Sequence, residues 1–183
     1  MNNTVKKEQK LVVTIERLSI DNWYVFEDSI YSIEEDSYEA ERQHSKEMIN
    51  KTVRNTAGVS VVALIDNIAA GFCIGGPISD FTHLIGPSAE VADSYNEILY
   101  AADLCVAEKH RGLGVARQLK AAQIRYAKQE GYRLLAGRNR LGFADIMWRL
   151  NRSLGARPVS VINDAYNDDL KPNSTIYYHI KLR

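Results

Sequence analysis

The 183-residue sequence predicts an α/β protein of the α+β type, a single domain over 1–183 in which helices flank a sheet. Three observations lead there. Apolar, β-branched runs at 59–65 (VSVVALI) and 68–74 (IAAGFCI) are joined by Asp66-Asn67, which is hairpin-turn chemistry. A mostly apolar run at 98–106 (ILYAADLCV) reads as a central strand. It passes through a glycine-containing loop into a stretch with helical periodicity, where Val115, Leu119, Ala122 and Tyr126 share one stripe.

The remaining elements follow in order. Residues 1–8 read as a frayed tail and 10–18 (KLVVTIERL) as a first strand. Asp21 is placed to cap a helix over 22–33. Glu34, Glu35 and Asp36 form an acidic knot before a polar helix over 38–55, which Ala57-Gly58 ends. Gly75-Gly76-Pro77 closes the hairpin. Residues 78–97 form a long mixed loop, of a length that is usually functional or mobile. The helix after the glycine loop spans 114–130, with Gly131 as its stop. Residues 132–137 (YRLLAG) are a strand. Phe143, Ile146, Met147, Leu150 and Leu154 mark one face of another helix, closed by Gly155. Residues 159–162 and 175–182 form a final strand pair around an Asp/Asn-rich connection. The order is β-α-α-β-β-β-α-β-α-β-β.

Composition narrows the function classes. Apolar residues make up 45% of the chain, enough for a core that needs no staples. No apolar run approaches the roughly 18 residues of a membrane helix, and residues 1–10 lack the centre of a signal peptide. A cytoplasmic protein without membrane contact is expected. Cys73 and Cys105, far apart in apolar stretches, read as buried free thiols. Histidines 44, 83, 110 and 179 show no metal spacing, so no metal is expected. Charge is uneven: residues 1–100 hold 16 acidic and 8 basic side chains, residues 101–183 hold 7 and 15. The C-terminal half is therefore suited to an anion and the N-terminal half to a cation. No basic run with interleaved aromatics supports nucleic-acid binding.

The anion has an obvious seat. A helix N-terminus leaves backbone N–H groups unpaired and carries partial positive charge. Gly112 and Gly114 remove side chains that would keep an anion from those groups, and Lys109, Arg111 and Arg117 add full charges. A Walker loop is absent, and the dinucleotide fingerprint would need glycine where Arg117 stands.

The segment Leu104-Cys105-Val106-Ala107-Glu108-Lys109-His110-Arg111-Gly112-Leu113-Gly114-Val115-Ala116 resembles the cofactor loop of the GNAT superfamily of acetyltransferases, "L-x-V-x-P-x-x-R-G-x-G-x-G/A". Glu108 replaces the common proline, and Lys109 stands where glutamine or arginine is usual. The resemblance implies a mixed, mostly antiparallel sheet with splayed central strands, and acetyl-CoA as cosubstrate. Backbone amides of Arg111, Gly112, Leu113, Gly114, Val115 and Ala116 would hold its pyrophosphate. The backbone of Leu104, Cys105 and Val106 would pair with the pantetheine arm, Asn139 would contact that arm, and Lys109, Arg111 or Arg117 would meet the ribose phosphate. Residues 150–156 (LNRSLGA) resemble the family's "L-Y-x-K-L-G-F", so Asn151 takes the place of the tyrosine that often protonates the leaving thiolate.

Acyl transfer needs a neutral amine, hence a base. Glu97, just before the central strand, and Asp103, inside it, are the candidates; Asp103 also reads as a substrate anchor or a member of a buried pair. Tyr177, Tyr178 and His179 are candidate core, cleft or homodimer-contact positions. The acidic segment Glu34, Glu35, Asp36, Glu39 and Glu41 is either a solvated face or a lure for a cationic acceptor. The expected activity is acetyl transfer to a primary amine, small-molecule before protein. The alternative is a non-catalytic acyl-CoA sensor, which Asn151 in the tyrosine position keeps open.

Overall fold

In a computed structural model, residues 12–84, 86–89 and 97–183 are described. The predicted tail at 1–8 lies outside them, as do the first residues of the predicted first strand and part of the loop at 78–97. Among the described residues there are seven strands: β1 (Val13–Leu18), β2 (Ser60–Ile65), β3 (Ile68–Pro77), β4 (Ile98–Val106), β5 (Leu134–Arg140), β6 (Arg157–Asn163) and β7 (Ser174–Lys181). They form one sheet in the order β1-β2-β3-β4-β5-β7-β6. Every neighbouring pair is antiparallel except β4 with β5.

That parallel pair is short. Ile98 to Ala101 pair with Leu134 to Gly137, and there the ladder stops. Beyond it β4 stays with β3 as far as Val106, while β5 stays with β7 as far as Arg140. Each strand follows its other neighbour, so the two diverge and a gap opens mid-sheet. The expected mostly antiparallel, splayed sheet is what the chain forms.

Among the described residues four α-helices cover the sheet: α1 (Trp23–Ser37), α2 (Lys46–Arg54), α3 (Val115–Gln129) and α4 (Asp145–Ser153). Along β2, Val62 and Leu64 pack with α1 and α2, while Val61 and Ala63 pack with Val115, Leu119 and Ala122 of α3. Period-two alternation thus assigns α1 and α2 to one face and α3 to the other. Burying Leu119 and Val115 contributes about 1.5–3 kcal/mol each. β4 is less regular. Asp103 pairs with Ile74 and Ala101 with Gly75, leaving Ala102 unopposed in a β-bulge. Tyr100 and Asp103 therefore both face away from α3, although three positions separate them.

Several elements differ from the sequence expectation: α1 runs on through the acidic knot to Ser37, β5 spans Leu134–Arg140 and not 132–137, and two helix starts change. Asn22, not Asp21, precedes α1; its side chain accepts from Ser19 N–H at 2.9 Å and donates to Arg17 O at 2.9 Å, tying the turn. The helix expected over 38–55 is broken. A single turn at Ala40–Arg42 ends before His44, and Ser45 starts α2 by accepting from Met48 N–H at 3.1 Å. The break lets His44 N–H donate to Glu34 Oε1 at 2.8 Å, a bond an unbroken helix would not allow.

Candidate active site

The gap between β4 and β5 opens into a cavity of about 310 Å³ that reaches both faces of the sheet. From one face it is lined by Tyr38, His44 and Asp103; from the other by Lys120, Met147 and Asn151. The volume is that of a small-molecule site.

Beyond the end of β4, at the start of α3, lies the glycine loop. Gly112 and Gly114 adopt φ of 78° and 79°, the left-handed region that favours glycine. Both are exposed, and a Cβ at either would have no heavy atom within 4 Å. The first N–H of this stretch to find a backbone acceptor is that of Gln118, which donates to Gly114 O at 3.2 Å. Among the described residues, backbone N–H groups from Gly112 to Arg117 have no backbone acceptor, so the loop offers a cluster of free donors. The three cations differ in placement. Arg111 turns back to Val106 O (3.0 Å) and Ser37 Oγ (3.3 Å), Arg117 reaches Ser153 Oγ at 2.8 Å, and Lys109 is exposed.

Deeper in the gap, Asn139 and Asn151 come together, 12 positions apart in sequence. Asn151 Nδ2 donates to Asn139 Oδ1 at 2.9 Å, and Asn151 Oδ1 is buried without a hydrogen-bond partner. A buried carbonyl oxygen left unpaired is costly, so this one suits a donor entering the cavity. The amide N–H groups of a pantetheine arm are such donors. Leu104 N–H, on the β4 wall, donates to Asp103 Oδ1 at 2.7 Å.

The closed end of the gap holds Lys120, which sequence reasoning missed, and Tyr178, one of the candidate core or cleft positions. Lys120 of α3 is only 2% exposed and lines the cavity. Its ammonium donates to Gln123 Oε1 at 2.9 Å and has no carboxylate at ion-pair distance among the described residues. Gln123 is held in turn by Val59 O and by the Cys73 thiol. Helical periodicity reveals this lysine in principle, since it adjoins Leu119 on the buried stripe. Tyr178 lies across from Gly137, where a Cβ would fall 2.5 Å from the tyrosine oxygen. Only glycine admits that ring beside the strand end.

On the opposite face, Asp103 is 9% exposed and heads a buried polar cluster. It accepts from Tyr38 Oη at 3.1 Å, and His44 Nδ1 lies 3.7 Å from its Oδ2. The same nitrogen lies 3.2 Å from Glu34 Oε1, and the Cys105 thiol donates to Glu34 Oε2 at 3.2 Å. Burial opposes charge on His44, but bonds to and attraction by Asp103 and Glu34 outweigh it and raise its pKa to about 10. Burial likewise works against the Asp103 carboxylate, and His44 more than compensates, holding it below the usual range. Burial wins at Glu34, whose pKa is raised despite its bond from His44. At neutral pH, His44 is the cation of this cluster. Ligand atoms of Glu34, Asp103 and Cys105 lie within 4.8 Å of one another, which is metal-like spacing, but the imidazolium already lies against both carboxylates.

The other base candidate, Glu97, lies elsewhere. Its carboxylate pairs with Arg133 at 2.9 Å, is about half exposed, and does not line the cavity. Of the acidic segment, Glu34 is buried in the cluster and Glu41 lines the cavity, while Glu35 pairs with Lys46 on the surface. Arg140, beside Asn139, forms a bidentate pair with Asp168 at 2.6 and 2.7 Å. Among the described residues no helix is long and apolar enough to cross a membrane.

Comparison with known proteins agrees with this geometry. The sequence model of the Acetyltransferase (GNAT) family matches residues 21–140. No curated protein matches the sequence significantly. Among solved structures, the ribosomal-protein-S18-alanine N-acetyltransferase of Escherichia coli superposes with a TM-score of 0.70 at 15% identity, covering 93% of this chain and 94% of that one. A GNAT family acetyltransferase from Elizabethkingia anophelis with acetyl-CoA bound gives 0.65 at 19% identity, covering 92% and 97%. The ribosomal-protein-alanine N-acetyltransferase of Brucella melitensis gives 0.68 at 17%, covering 92% and 99%. At these identities the likeness is one of fold.

Proposed function

Because the chain belongs to the acetyltransferase (GNAT) family, we propose that it transfers the acetyl group of acetyl-CoA directly to a primary amine of a small molecule. One observation carries this reading: a two-faced cavity in a split sheet, with free backbone donors at the start of α3 just beyond the end of β4 and a carboxylate cluster lining the face away from α3. Donor and acceptor then meet without a covalent enzyme intermediate.

The chain's residues divide the work. Amides of Gly112 to Arg117 hold the pyrophosphate, and Asn151 Oδ1 takes a donor from the pantetheine arm. The acetyl donor supplies an activated carbonyl carbon. The amine nitrogen bonds to that carbon as the carbon–sulfur bond breaks, so one proton leaves the nitrogen and negative charge gathers on sulfur. Asp103, facing the cavity, anchors the amine. Asp103, His44 and Glu34 share protons as one unit, and Glu34, already raised by burial, is its member suited to receiving a proton. Lys120 supplies positive charge where the departing sulfur needs it, the office Asn151 cannot fill.

The test has two arms. A thermal-shift comparison of acetyl-CoA with ATP and NAD should show stabilisation by acetyl-CoA alone. Thiol release with a panel of primary amines should then show turnover. No shift at saturating acetyl-CoA refutes the donor assignment; binding without turnover on any amine makes the protein a sensor.

A further inference from the structure

Among the described residues, Arg138 is a cation without a counter-ion. It follows Gly137, the last residue of β5 paired with β4, and so stands at the fork. Its side chain lines the main cavity and also an adjoining hollow of about 290 Å³, bounded by His83, Tyr166 and Asp164. Its Nε donates to Tyr100 Oη at 3.2 Å, and its guanidinium lies 5.2 Å from the Tyr166 ring centre. Its Nη1 is buried and has no hydrogen-bond partner among the described residues.

The neighbouring charges leave it unpaired. Asp168 is taken by Arg140 in a bidentate pair. Asp103 is engaged by Tyr38, by its own neighbour's N–H and by His44. Asp164 is exposed on the rim of the hollow and forms no ion pair with Arg138 among the described residues. A guanidinium presents a planar fork of donors that fits a carboxylate, and one buried donor left empty is a standing cost. Tyr100 and Tyr166 fix that fork from two sides, so little side-chain freedom is lost when an anion docks.

Resting on the function proposed above, we propose that Arg138 binds a carboxylate of the acceptor, so that the acceptor is an amino acid or amino-acid-like molecule. Arg138 takes the carboxylate on the β5 side of the fork, and Asp103 takes the amine on the β4 side. Both are on the face away from α3, so a zwitterion spans the opening with each end against its opposite charge. The cavity volume suits a molecule of that size.

The experiment compares L-amino acids with their methyl esters and with the corresponding decarboxylated amines, all with acetyl-CoA. Wild-type kcat/KM should favour a free amino acid over its ester by 10-fold or more, the strength of a charge-assisted bond. In R138Q that preference should vanish through loss on the amino acid, while the decarboxylated amine and the thermal shift with acetyl-CoA stay unchanged. Melting-point stabilisation by the preferred amino acid should also disappear. Equal rates for acid and ester in the wild type overturn the assignment, as does a preference that survives in R138Q. If exchange of acetyl-CoA for succinyl-CoA raises turnover of simple amines and R138Q abolishes that gain, the carboxylate belongs to the donor and the proposal falls. Should R138Q not fold, the wild-type acid-to-ester comparison decides alone. Absence of turnover on every amine refutes the transferase reading instead, which keeps the two failures apart.

Discussion

The glycine loop invites a test in which folding and binding respond differently. In Gly114→Asp the new side chain meets open space, with no heavy atom within 4 Å of its Cβ. The backbone, at φ 79°, is strained for any L side chain by about 1–2 kcal/mol, so the melting point falls but the protein folds. Binding is hit harder. A carboxylate about 5 Å from a phosphate, at an effective dielectric constant of about 20, costs about 3 kcal/mol per charge pair. That weakens CoA binding by about 100-fold or more. Gly114→Ala carries the same strain without the charge and serves as the control. Calorimetric titration of CoA into the wild type and both variants at low and high salt reads the difference. The Asp variant should lose most affinity, and added salt should narrow its deficit. A folded Gly114→Asp protein with wild-type CoA affinity refutes the assignment of the loop to the pyrophosphate.

Three further outcomes are expected. Lys120→Met should raise the melting temperature, because it removes a buried ammonium while Cys73 still satisfies Gln123 Oε1; its kcat should fall at least 10-fold, less so with donors whose thiol is more acidic, and an unchanged kcat refutes the role at sulfur. Gly137→Ala should destabilise by about 1–3 kcal/mol and weaken the acetyl-CoA thermal shift, since the added Cβ would meet Tyr178 Oη at 2.5 Å; unaltered melting refutes the close approach. His44 gives a pH signature: its pKa rises from the ordinary 6.5 to about 10, so its contribution to stability is complete below 6.5 and is lost as pH climbs through 10. Asp103, held low, contributes above 3.8 and loses that contribution as pH falls further. Melting curves of His44→Gln should therefore lie below the wild type at pH 5–6 and converge with it toward pH 10; parallel curves would show that the imidazolium carries no such load.

Much of the scaffold was legible in the sequence because it rests on local signals. The hairpin at Asp66-Asn67 and the glycine loop each carry their chemistry within a few residues. The splay was implied only by family resemblance, since nothing local to residues 98–106 says where pairing with 134–137 ends. The site proved harder because its charges are set by distant partners. Glu34 looked like part of a solvated acidic knot, and only folding places it against His44 and Cys105, 71 positions away. Arg138 and Arg140 are alike in sequence, yet one is neutralised by Asp168 and the other is not. The pairing of Asn139 with Asn151 likewise required two elements to meet.

The unopposed Ala102 has a consequence for how this fold tolerates change. A strand of strict alternation keeps residues of one parity on one face throughout. Here a single inserted residue resets the parity midway, so even-numbered Ile98 and Tyr100 keep company with odd-numbered Asp103 and Cys105. Side-chain substitutions along β4 alter one contact at a time. Deleting Ala102 would remove the inserted residue and restore plain alternation, with Ala101 still opposite Gly75, Asp103 still opposite Ile74 and every residue beyond keeping its face. A one-residue deletion elsewhere in β4 would instead flip the faces of the residues beyond it, so the strand tolerates the loss of a residue only at its bulge.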